Sequence, residues 1–365
     1  MREGWTYKKL GEVCEVVSGS TPKTNVPEFW GNGHYWITPA EIDDATVYIN
    51  KTERQITDAA IDKTHLQLLP IGTVLLSSRA PIGKVAITDT EMYCNQGFKN
   101  CICSDAIYNK FLFFFLKYKK NYLNSLGRGA TFKEISKSIV EKVAIPLPPL
   151  SEQQSIVAEL DKINELISLK KAQLSDLDAL AQSIFYDMFG DPIVNEKGWE
   201  VKKWENVFET RTGKLNANAM VEAGAYPFFT CSKDVSYIDT YAFDCEALLL
   251  AGNNASAKYD VKYYKGKFNA YQRTYVLTIK EGSYPFFKIS LEGKLSFLQT
   301  HSLGGLTKYL TMGVLNELSF IFPPLPLQHE FAKRIELIEQ QKAQISSTIK
   351  DLETLLASRM QYWFD

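Results

Sequence analysis

Two long segments of the chain carry apolar residues at alternating steps of four and three positions. Such a heptad seam predicts an amphipathic helix that buries a narrow stripe against a partner helix. The segments lie within 146–190 and 323–365, and their seams stay in phase at an offset of 175 residues. The seam positions are Ile156, Leu160, Ile163, Ile167, Leu174, Leu177, Ala181, Ile184 and Met188 in the first segment, and Phe331, Ile335, Ile338, Ile345, Ile349, Leu352, Leu356 and Trp363 in the second.

A proline-rich stop precedes each seam, "PLPPLSEQQ" in the first segment and "PPLPLQHE" in the second. Proline suits the start of a helix, and Ser151 followed by Gln154 predicts a capping box. Each helix would span about 38 residues, or roughly 57 Å. We expect the two helices to pair antiparallel within one chain, with Lys170, Lys342 and Arg359 as polar breaks. The alternative is two unrelated helices, each packed on its own globular region.

The globular regions also form an internal sequence repeat. "GWTYKKLGEVCEVVSG" (4–19) matches "GWEVKKWENVFETRTG" (198–213) at several positions, including the closing glycine. Weaker matches follow in the same order, with Gln96 against Gln272 and Thr131 against Thr307. The repeat predicts a globular domain at 1–145, a helix at 146–190, a second globular domain at 191–322 and a second helix at 323–365.

Composition narrows the class of protein. The 365 residues are 45% apolar and 13% aromatic, values typical of a globular protein. The start has no apolar core of signal-peptide length, and the six scattered cysteines have no metal-site spacing, so we expect a cytoplasmic protein with reduced thiols. The apolar run "FLFFFL" (111–116) predicts a buried helix, because it is too short to span a bilayer.

Charge is divided unevenly although the net charge is only −1. The stretches 150–191 and 326–365, which carry the seams, are acidic, and they leave 33 basic and 28 acidic residues in the rest of the chain. The globular regions are therefore suited to a polyanion. The stretch "AKYDVKYYKGKFNAYQRTY" (257–275) mixes cations with tyrosines and amides, and predicts contacts to nucleic acid. A solvated β-hairpin with its lysines facing water is an equal alternative.

Motifs for chemistry are missing from the sequence. There is no P-loop, dinucleotide fingerprint, GxSxG elbow, HExxH or Pro-Pro-aromatic methyltransferase run. We therefore expect a chain that recognises and scaffolds, without catalysis and without a metal or cofactor of its own.

Taken together, the motifs resemble the specificity subunit of type I restriction-modification systems. The first recognition region is carried by "KLGEVCEVVSGSTPKT" (9–24), "YWITPAEI" (35–42), "GTVLLSSRAPIGKVAI" (72–87), "CNQGFK" (94–99) and "GRGATFKEIS" (127–136). The second is carried by "YPFFTCSKDVSYIDTYAFDCEALLLAGN" (226–253) and "VKYYKGKFNAYQRTYVL" (261–277), and the helix starts match too. The resemblance implies an α+β fold, with two target-recognition domains joined by two long antiparallel coiled-coil helices in a pseudo-twofold repeat.

The resemblance also implies a function. Each recognition domain would bind one half of a split, asymmetric double-stranded DNA site, and the helices would set the gap between the halves. Two methylation subunits would bind the helices and methylate adenine N6 with S-adenosylmethionine. Translocating restriction subunits would add ATP- and Mg²⁺-dependent cleavage. The entry of the second helix reads "PLQHE" where the first reads "LSEQQ", so unequal binding of the methylation subunits is a further expectation.

Recognition residues vary within this family, so the candidates are chosen by chemistry. Arginine and lysine pair with guanine, asparagine and glutamine with adenine, and other polar groups hold phosphates. The first domain offers Ser78, Arg79, Lys84, Asn95, Gln96, Lys99, Arg128, Thr131 and Lys133. The second offers Lys233, Asn253, Asn254, Lys258, Lys265, Lys267, Tyr271, Gln272, Arg273 and Lys308.

Two other classes of protein are also consistent with the sequence. A coiled-coil scaffold whose globular regions bind protein would have no salt-sensitive affinity for DNA. An enzyme with a divergent site would show activity from the chain alone.

Overall fold

The computed structural model describes residues 4–64, 66–79, 81–129, 133–255 and 257–365. The chain folds as two compact units, unit 1 (Met1–Leu169 and Thr348–Asp365) and unit 2 (Lys170–Ser347). The division runs through the two long helices, so each unit holds one globular region and one end of each helix. The predicted α+β class with two long helices is confirmed.

Unit 1 is built on a five-stranded sheet of order β2-β9-β6-β7-β4 and a three-stranded sheet of order β5-β3-β8. Its strands are β1 (Thr6–Lys9), β2 (Cys14–Ser18), β3 (Trp30–Ile37), β4 (Tyr48–Ile49), β5 (Arg54–Ile56), β6 (Val74–Leu76), β7 (Val85–Thr88), β8 (Tyr93–Cys94), β9 (Lys99–Cys103) and β10 (Ala144–Leu147). Its helices are α1 (Leu10–Val13), α2 (Asp58–Thr64), α3 (Asn109–Tyr118), α4 (Lys120–Leu126), α5 (Lys137–Glu141) and the first part of α6 (Leu150–Phe189).

Unit 2 is built on one six-stranded sheet of order β12-β18-β15-β17-β13-β14. Its strands are β11 (Glu200–Lys203), β12 (Phe208–Thr212), β13 (Tyr226–Phe229), β14 (Ser236–Ile238), β15 (Phe243–Ala251), β16 (Asn253–Asn254), β17 (Val261–Ala270), β18 (Thr274–Ile279), β19 (Lys308–Tyr309) and β20 (Ser319–Phe322). Its helices are α7 (Trp204–Val207), α8 (Tyr284–Glu292), α9 (Leu295–His301), α10 (Met312–Asn316) and the first part of α11 (Leu325–Phe364).

The sequence repeat is a structural repeat. In unit 1, β1 and the one-turn helix α1 lead into β2, and β1 pairs antiparallel with β10, the strand before α6. In unit 2, β11, α7 and β12 repeat this path, and β11 pairs with β20 before α11. Each globular region is therefore closed by its own first and last strands where a long helix begins.

A buried glutamine anchors the start of each long helix. Gln153 is fully buried; its Oε1 accepts from the Tyr108 amide at 2.8 Å and its Nε2 donates to the Pro148 carbonyl at 2.9 Å. Gln328 is also fully buried, accepts from the Ser283 amide at 3.1 Å and donates to the Pro323 carbonyl at 2.8 Å. The two glutamines are 175 residues apart, the offset of the sequence repeat. The repeated proline-rich stretch with its glutamine therefore anchors the start of the long helix in both units.

The predicted capping box at Ser151 is wrong. Helix α6 begins at Leu150, and the amides of Glu152 and Gln153 donate to the Pro149 carbonyl. Ser151 therefore lies inside the first turn, where its own carbonyl accepts from the Ser155 hydroxyl. The proline immediately before the helix supplies the first acceptor instead.

Within each unit the ends of α6 and α11 pack antiparallel, as predicted. In unit 1 the Arg359 guanidinium binds the Glu159 carboxylate, and Trp363 Nε1 donates to the same carboxylate at 3.1 Å. In unit 2 the Lys342 ammonium lies 2.8 Å from Asp178 Oδ1. Two of the three polar breaks in the seams are therefore paired across the helices, a device that pins register in coiled coils.

None of the seam positions is exposed. Ile156, Leu160, Ile163, Ile167, Ala181, Phe331, Ile335, Ile338 and Ile349 are buried, and Leu174, Leu177, Ile184, Met188, Ile345, Leu352, Leu356 and Trp363 are half-buried. The helix ends bury further residues that the seam does not include. Phe185 and Phe189 pack on Phe331 in unit 2, and Phe364 packs on Phe111 in unit 1.

The predicted buried helix is confirmed as α3, in which every residue from Phe111 to Leu116 is buried. Across the described part of the chain, no helix combines the length and apolar character that crossing a membrane requires.

Candidate nucleic-acid interface

Three segments of unit 1 meet at one surface. The Ser78 amide, just after β6, donates to the Gly97 carbonyl at 2.7 Å, in the turn after β8. The Ile135 amide donates to the Ser78 carbonyl at 2.9 Å. Arg128 and Glu134 exchange both backbone hydrogen bonds, at 3.0 and 2.9 Å. These bonds bring together the regions of Arg79, Asn95 and Lys133, which are far apart in the sequence.

We call the set of backbone hydrogen bonds that joins these three segments the frame. Unit 2 contains the same frame at an offset of 174 to 176 residues. The Gly252 amide donates to the Arg273 carbonyl at 2.7 Å, and the Leu310 amide donates to the Gly252 carbonyl at 2.8 Å. Leu303 and Tyr309 exchange both backbone hydrogen bonds, at 3.0 and 2.9 Å. The two units therefore present the same three segments with different side chains.

The closing glycine of each repeat explains how the turn is held. A Cβ at Gly19 would lie 1.9 Å from the Asn95 carbonyl oxygen, and a Cβ at Gly213 would lie 1.8 Å from that of Ala270. Only glycine allows this close approach of two backbones. The Gln96 and Gln272 side chains then bond to the segments that follow the glycines, through Thr21 Oγ1 and Asn216 Oδ1.

A cleft of about 660 Å³ opens beside the frame in unit 1. Three predicted recognition residues, Arg79, Lys84 and Asn95, line it together with Thr38, Pro39, Ala40, Pro81, Gly97 and Glu134. The Lys84 ammonium donates to the Pro39 carbonyl at 2.8 Å, and Asn95 Oδ1 accepts from the Gly97 amide at 2.8 Å. These bonds hold the walls of the cleft in place.

Two predicted contact residues lie inside the fold instead of on its surface. Ser78 is fully buried, and the Lys99 side-chain ammonium lies 3.3 Å from Glu134 Oε1 with the residue only 8% exposed. Their sequence neighbours Ser77, Phe98 and Asn100 are also buried, so both faces of these segments are covered by the fold. A sequence pattern of polar residue types does not show which face they occupy.

The remaining candidates of unit 1 surround the frame. Gln96, Arg128 and Lys133 are exposed, and Thr131 lies outside the described residues. Arg128 and Lys133 belong to the same bridged segment as Glu134. Their exposed cations are available to phosphate groups.

In unit 2 the frame gathers six of the candidates. Asn253 and Asn254 form β16 and pair with Tyr309 and Lys308 of β19. Tyr271, Gln272 and Arg273 form the adjoining turn, which hydrogen bonds to Gly252. Gln272 and Arg273 are exposed, and the two asparagines, Tyr271 and Lys308 are half-buried. Amides, a phenol and cations in one place can donate to and accept from base edges.

Four lysine candidates lie away from this frame or in its outer loops. Lys265 and Lys267 are on the exposed face of β17; Lys265 pairs with Glu246 at 3.3 Å, and the Lys267 ammonium lies 4.7 Å from the Tyr241 ring centroid. For these two, the alternative of a solvated strand face fits the arrangement. Lys233 and Lys258 are exposed in loops.

Sequence reasoning did not select Glu134 or Tyr309, the residues at the centre of the two frames. Glu134 faces Arg79 at 3.9 Å and Lys99 at 3.3 Å, and Tyr309 occupies the matching position in unit 2. The available signal was the repeat itself, because both follow a lysine at matching positions, Lys133 and Lys308.

Known proteins resemble this chain in sequence and in fold. The family model described as the type I restriction modification DNA specificity domain matches residues 2–179 and 196–354. The type I restriction enzyme MjaIX specificity subunit of Methanocaldococcus jannaschii is 37% identical over 227 residues, 57% of this chain and 52% of that protein. The EcoDI specificity subunit of Escherichia coli is 36% identical over 43% of this chain and 34% of its own length. These matches span about half or less of the two relatives.

Solved structures share the fold over nearly the whole chain. A type I restriction-modification S subunit from M. genitalium superposes with a TM-score of 0.59, at 16% identity, over 99% of this chain and 96% of its own. A chain from a study of complex assembly and conformational transition in the type I R-M system gives a TM-score of 0.58 at 19% identity, with 99% and 97% covered. With two matched domains that together cover most of its length, the chain belongs to the type I restriction-modification DNA specificity family.

Proposed function

We propose that this chain is the DNA-recognition subunit of a type I restriction-modification complex, and that each unit reads one half of a bipartite, asymmetric site. One observation carries the proposal: both units hold three segments in the same frame, yet the side chains on the frame differ. Arg79 and Glu134 in unit 1 stand where Asn253 and Tyr309 stand in unit 2. Two frames with the same backbone but different hydrogen-bond donors and acceptors suit two different half-site sequences, which we call the two DNA words.

The catalytic work would belong to partner subunits. We propose that two methylation subunits bind α6 and α11 and methylate adenine N6 with S-adenosylmethionine, after flipping the base out of the stack. Exposed apolar side chains on the long helices, including Leu169 and Leu337, offer them contact area. Restriction subunits would bring ATP and Mg²⁺ for translocation and cleavage. The chain itself would be non-catalytic and would act in the cytoplasm, where its DNA substrate lies.

Methylation mapping tests the proposal. The chain is co-expressed with its neighbouring methylation subunit, and N6-methyladenine is mapped across the host genome against the subunit alone. We expect a split motif that appears only when this chain is present. An intact complex on a sizing column with no new motif would contradict the proposal and favour a protein scaffold.

The long helices supply a second test. Both span 40 residues, about 60 Å at the usual rise. Deleting four residues, about one turn, from α6 and α11 together should change the gap between the two words and leave the words themselves unchanged. Altered words in the methylation map would show that the helices do not act as a spacer.

A further inference from the structure

A cluster of three charged side chains, Glu134, Lys99 and Arg79, lies at the cleft of unit 1. The proposed function gives no specific role to this cluster. Glu134 Oε1 lies 3.3 Å from the Lys99 ammonium, and Glu134 Oε2 lies 3.9 Å from Arg79 Nη1. One carboxylate thus faces two cations at the centre of the backbone frame. All three side chains belong to unit 1.

The two cations have different environments. The Lys99 side chain is 10% exposed and approaches the carboxylate from inside the fold. The side chains of Arg79 and Glu134 are 36% and 41% exposed, and both line the cleft. Lys99 therefore anchors one carboxylate oxygen, while the other oxygen and the guanidinium remain open to a ligand.

The Arg79 guanidinium is a forked hydrogen-bond donor and the Glu134 carboxylate beside it is an acceptor. This combination matches a G·C base pair best. In the major groove a G·C pair presents the N7 and O6 acceptors of guanine beside the N4 donor of cytosine. Arginine donates to both guanine acceptors, and a carboxylate accepts from cytosine N4. An A·T pair offers only one purine acceptor next to its donor, together with the thymine methyl group.

We propose that Arg79 and Glu134 together read one G·C base pair in the DNA word bound by unit 1. Arg79 donates to guanine, Glu134 accepts from cytosine, and Lys99 acts as the positioning residue that holds the carboxylate. The inference rests on the proposed function, because it requires that unit 1 binds DNA through this surface.

Unit 2 provides the internal comparison. Asn253 and Tyr309 occupy the positions of Arg79 and Glu134 in the second frame, so that frame has no carboxylate at this point. Asparagine pairs with the N6 and N7 atoms of adenine. The G·C preference should therefore be confined to the word read by unit 1.

The test uses the full chain in complex with its methylation subunit. Binding is measured on duplexes that carry each of the four base pairs at each position of the mapped motif. The wild-type complex should prefer one G·C pair by about tenfold or more. Glu134→Gln should reduce that preference to less than about threefold at that position alone and leave the second word unchanged.

Controls separate specificity from folding. Glu141→Gln makes the same chemical change in the same unit, at a surface ion pair with Lys137, and should leave every position unchanged. Asn253→Ala should alter the other word, which identifies the word of unit 1. If Glu134→Gln does not fold because Lys99 loses its partner, Arg79→Gln replaces it as the test variant. Arg79→Gln keeps the Lys99–Glu134 pair and should lose the preference for guanine at the same position.

The outcomes are distinct. A folded Glu134→Gln or Arg79→Gln complex with unchanged preference at every position overturns the inference and leaves the proposed function standing. A unit 1 word without any G·C pair does the same. A wild-type complex that recognises no split motif overturns both.

Discussion

Units 1 and 2 share one frame but complete it with different sheets. In unit 2, β17 runs without a break from Val261 to Ala270 and joins six strands into one sheet. In unit 1 the matching path is broken between β7 and β8 at residues 89–92, and the strands divide into sheets of five and three. The frame bonds around Ser78 and Gly252 are nevertheless the same. The frame therefore does not depend on whether the strands beneath it form one sheet or two.

The side chains on the frame differ far more than the backbone. Unit 1 places the Arg79–Glu134–Lys99 cluster there, whereas unit 2 has Asn253, Tyr309 and Tyr275, whose hydroxyl donates to the Leu310 carbonyl at 2.9 Å. The hydrogen bonds that hold these segments together are made by the backbone, so they do not depend on which side chains the segments carry. One architecture thus carries two different sets of donors and acceptors.

Loss of a closing glycine should have the largest effect. Gly19→Ala and Gly213→Ala each place a Cβ within 2 Å of a backbone carbonyl oxygen that cannot move as a side chain would. We expect each variant to lose about 3 kcal/mol of unfolding free energy and to lose recognition of one word only. Thermal unfolding and methylation mapping measure the two effects.

Gly305→Ala is the matched control, since its Cβ would meet no atom within 4 Å. It should leave both stability and motif unchanged. Loss of both words in a folded Gly19→Ala protein would show that the two frames are not independent.

The buried glutamines should have the next largest effect. Gln153→Leu leaves the Tyr108 amide and the carbonyls of Ala106 and Pro148 without their partner. Gln328→Leu leaves only the Ser283 amide and the Pro323 carbonyl. Each buried polar group left without a partner costs about 1–3 kcal/mol of unfolding free energy. Because Gln153→Leu leaves one more such group, the Ala106 carbonyl, it should be the more destabilising by about 1 kcal/mol. Urea unfolding decides this, and the reverse order would contradict the comparison of the two anchors.

The paired seam breaks should have the smallest effect. The Arg359 guanidinium lowers the pKa of the Glu159 carboxyl, with a further contribution from the Trp363 N–H. Arg359→Met should cost at most about 1 kcal/mol, because the pair is about a third exposed. The pair stabilises the fold above the unfolded pKa of glutamate and loses this contribution as pH falls through the lowered folded value.

The difference in unfolding free energy between wild type and Arg359→Met should therefore shrink as the pH falls below about 4.5. Urea unfolding measured across that range tests it. Lys342→Met serves as the comparison in unit 2, where the cation pairs with Asp178 and Glu339. A difference for Arg359→Met that is constant with pH would contradict the assignment to Glu159.

Much of the architecture was predictable from the chain because it depends on periodic or repeated residues. The heptad steps from Ile156 to Met188 and from Phe331 to Trp363 indicated both helices, since an apolar stripe must be buried. The matching glycines at 19 and 213 indicated the repeat, and the structure explains them by the close approach of two backbones. The predicted cap at Ser151 lies two residues beyond the observed one, because the Pro149 carbonyl and not the Ser151 hydroxyl accepts from the first turn.

The candidate site was only partly predictable. Arg79, Lys84 and Asn95 were selected by chemistry and do line one cleft, whereas Ser78 and Lys99 were selected by the same reasoning and are buried. The difference is the direction in which each side chain leaves the backbone, which depends on strand pairing and on the turn after β8.

The two helices, the repeated globular regions and the polar residue types on offer can all be read from the chain alone, because an apolar period and a repeated glycine are local features of the sequence. The position of Glu134 between Arg79 and Lys99, and of Tyr309 at the matching place in unit 2, is visible only in the folded protein. These neighbours are brought together by the backbone hydrogen bonds of Ser78 to Gly97 and of Ile135 to Ser78, which join residues 19 and 57 positions apart in the sequence. Contacts over such distances follow from the completed sheet and leave no periodic signal in the chain.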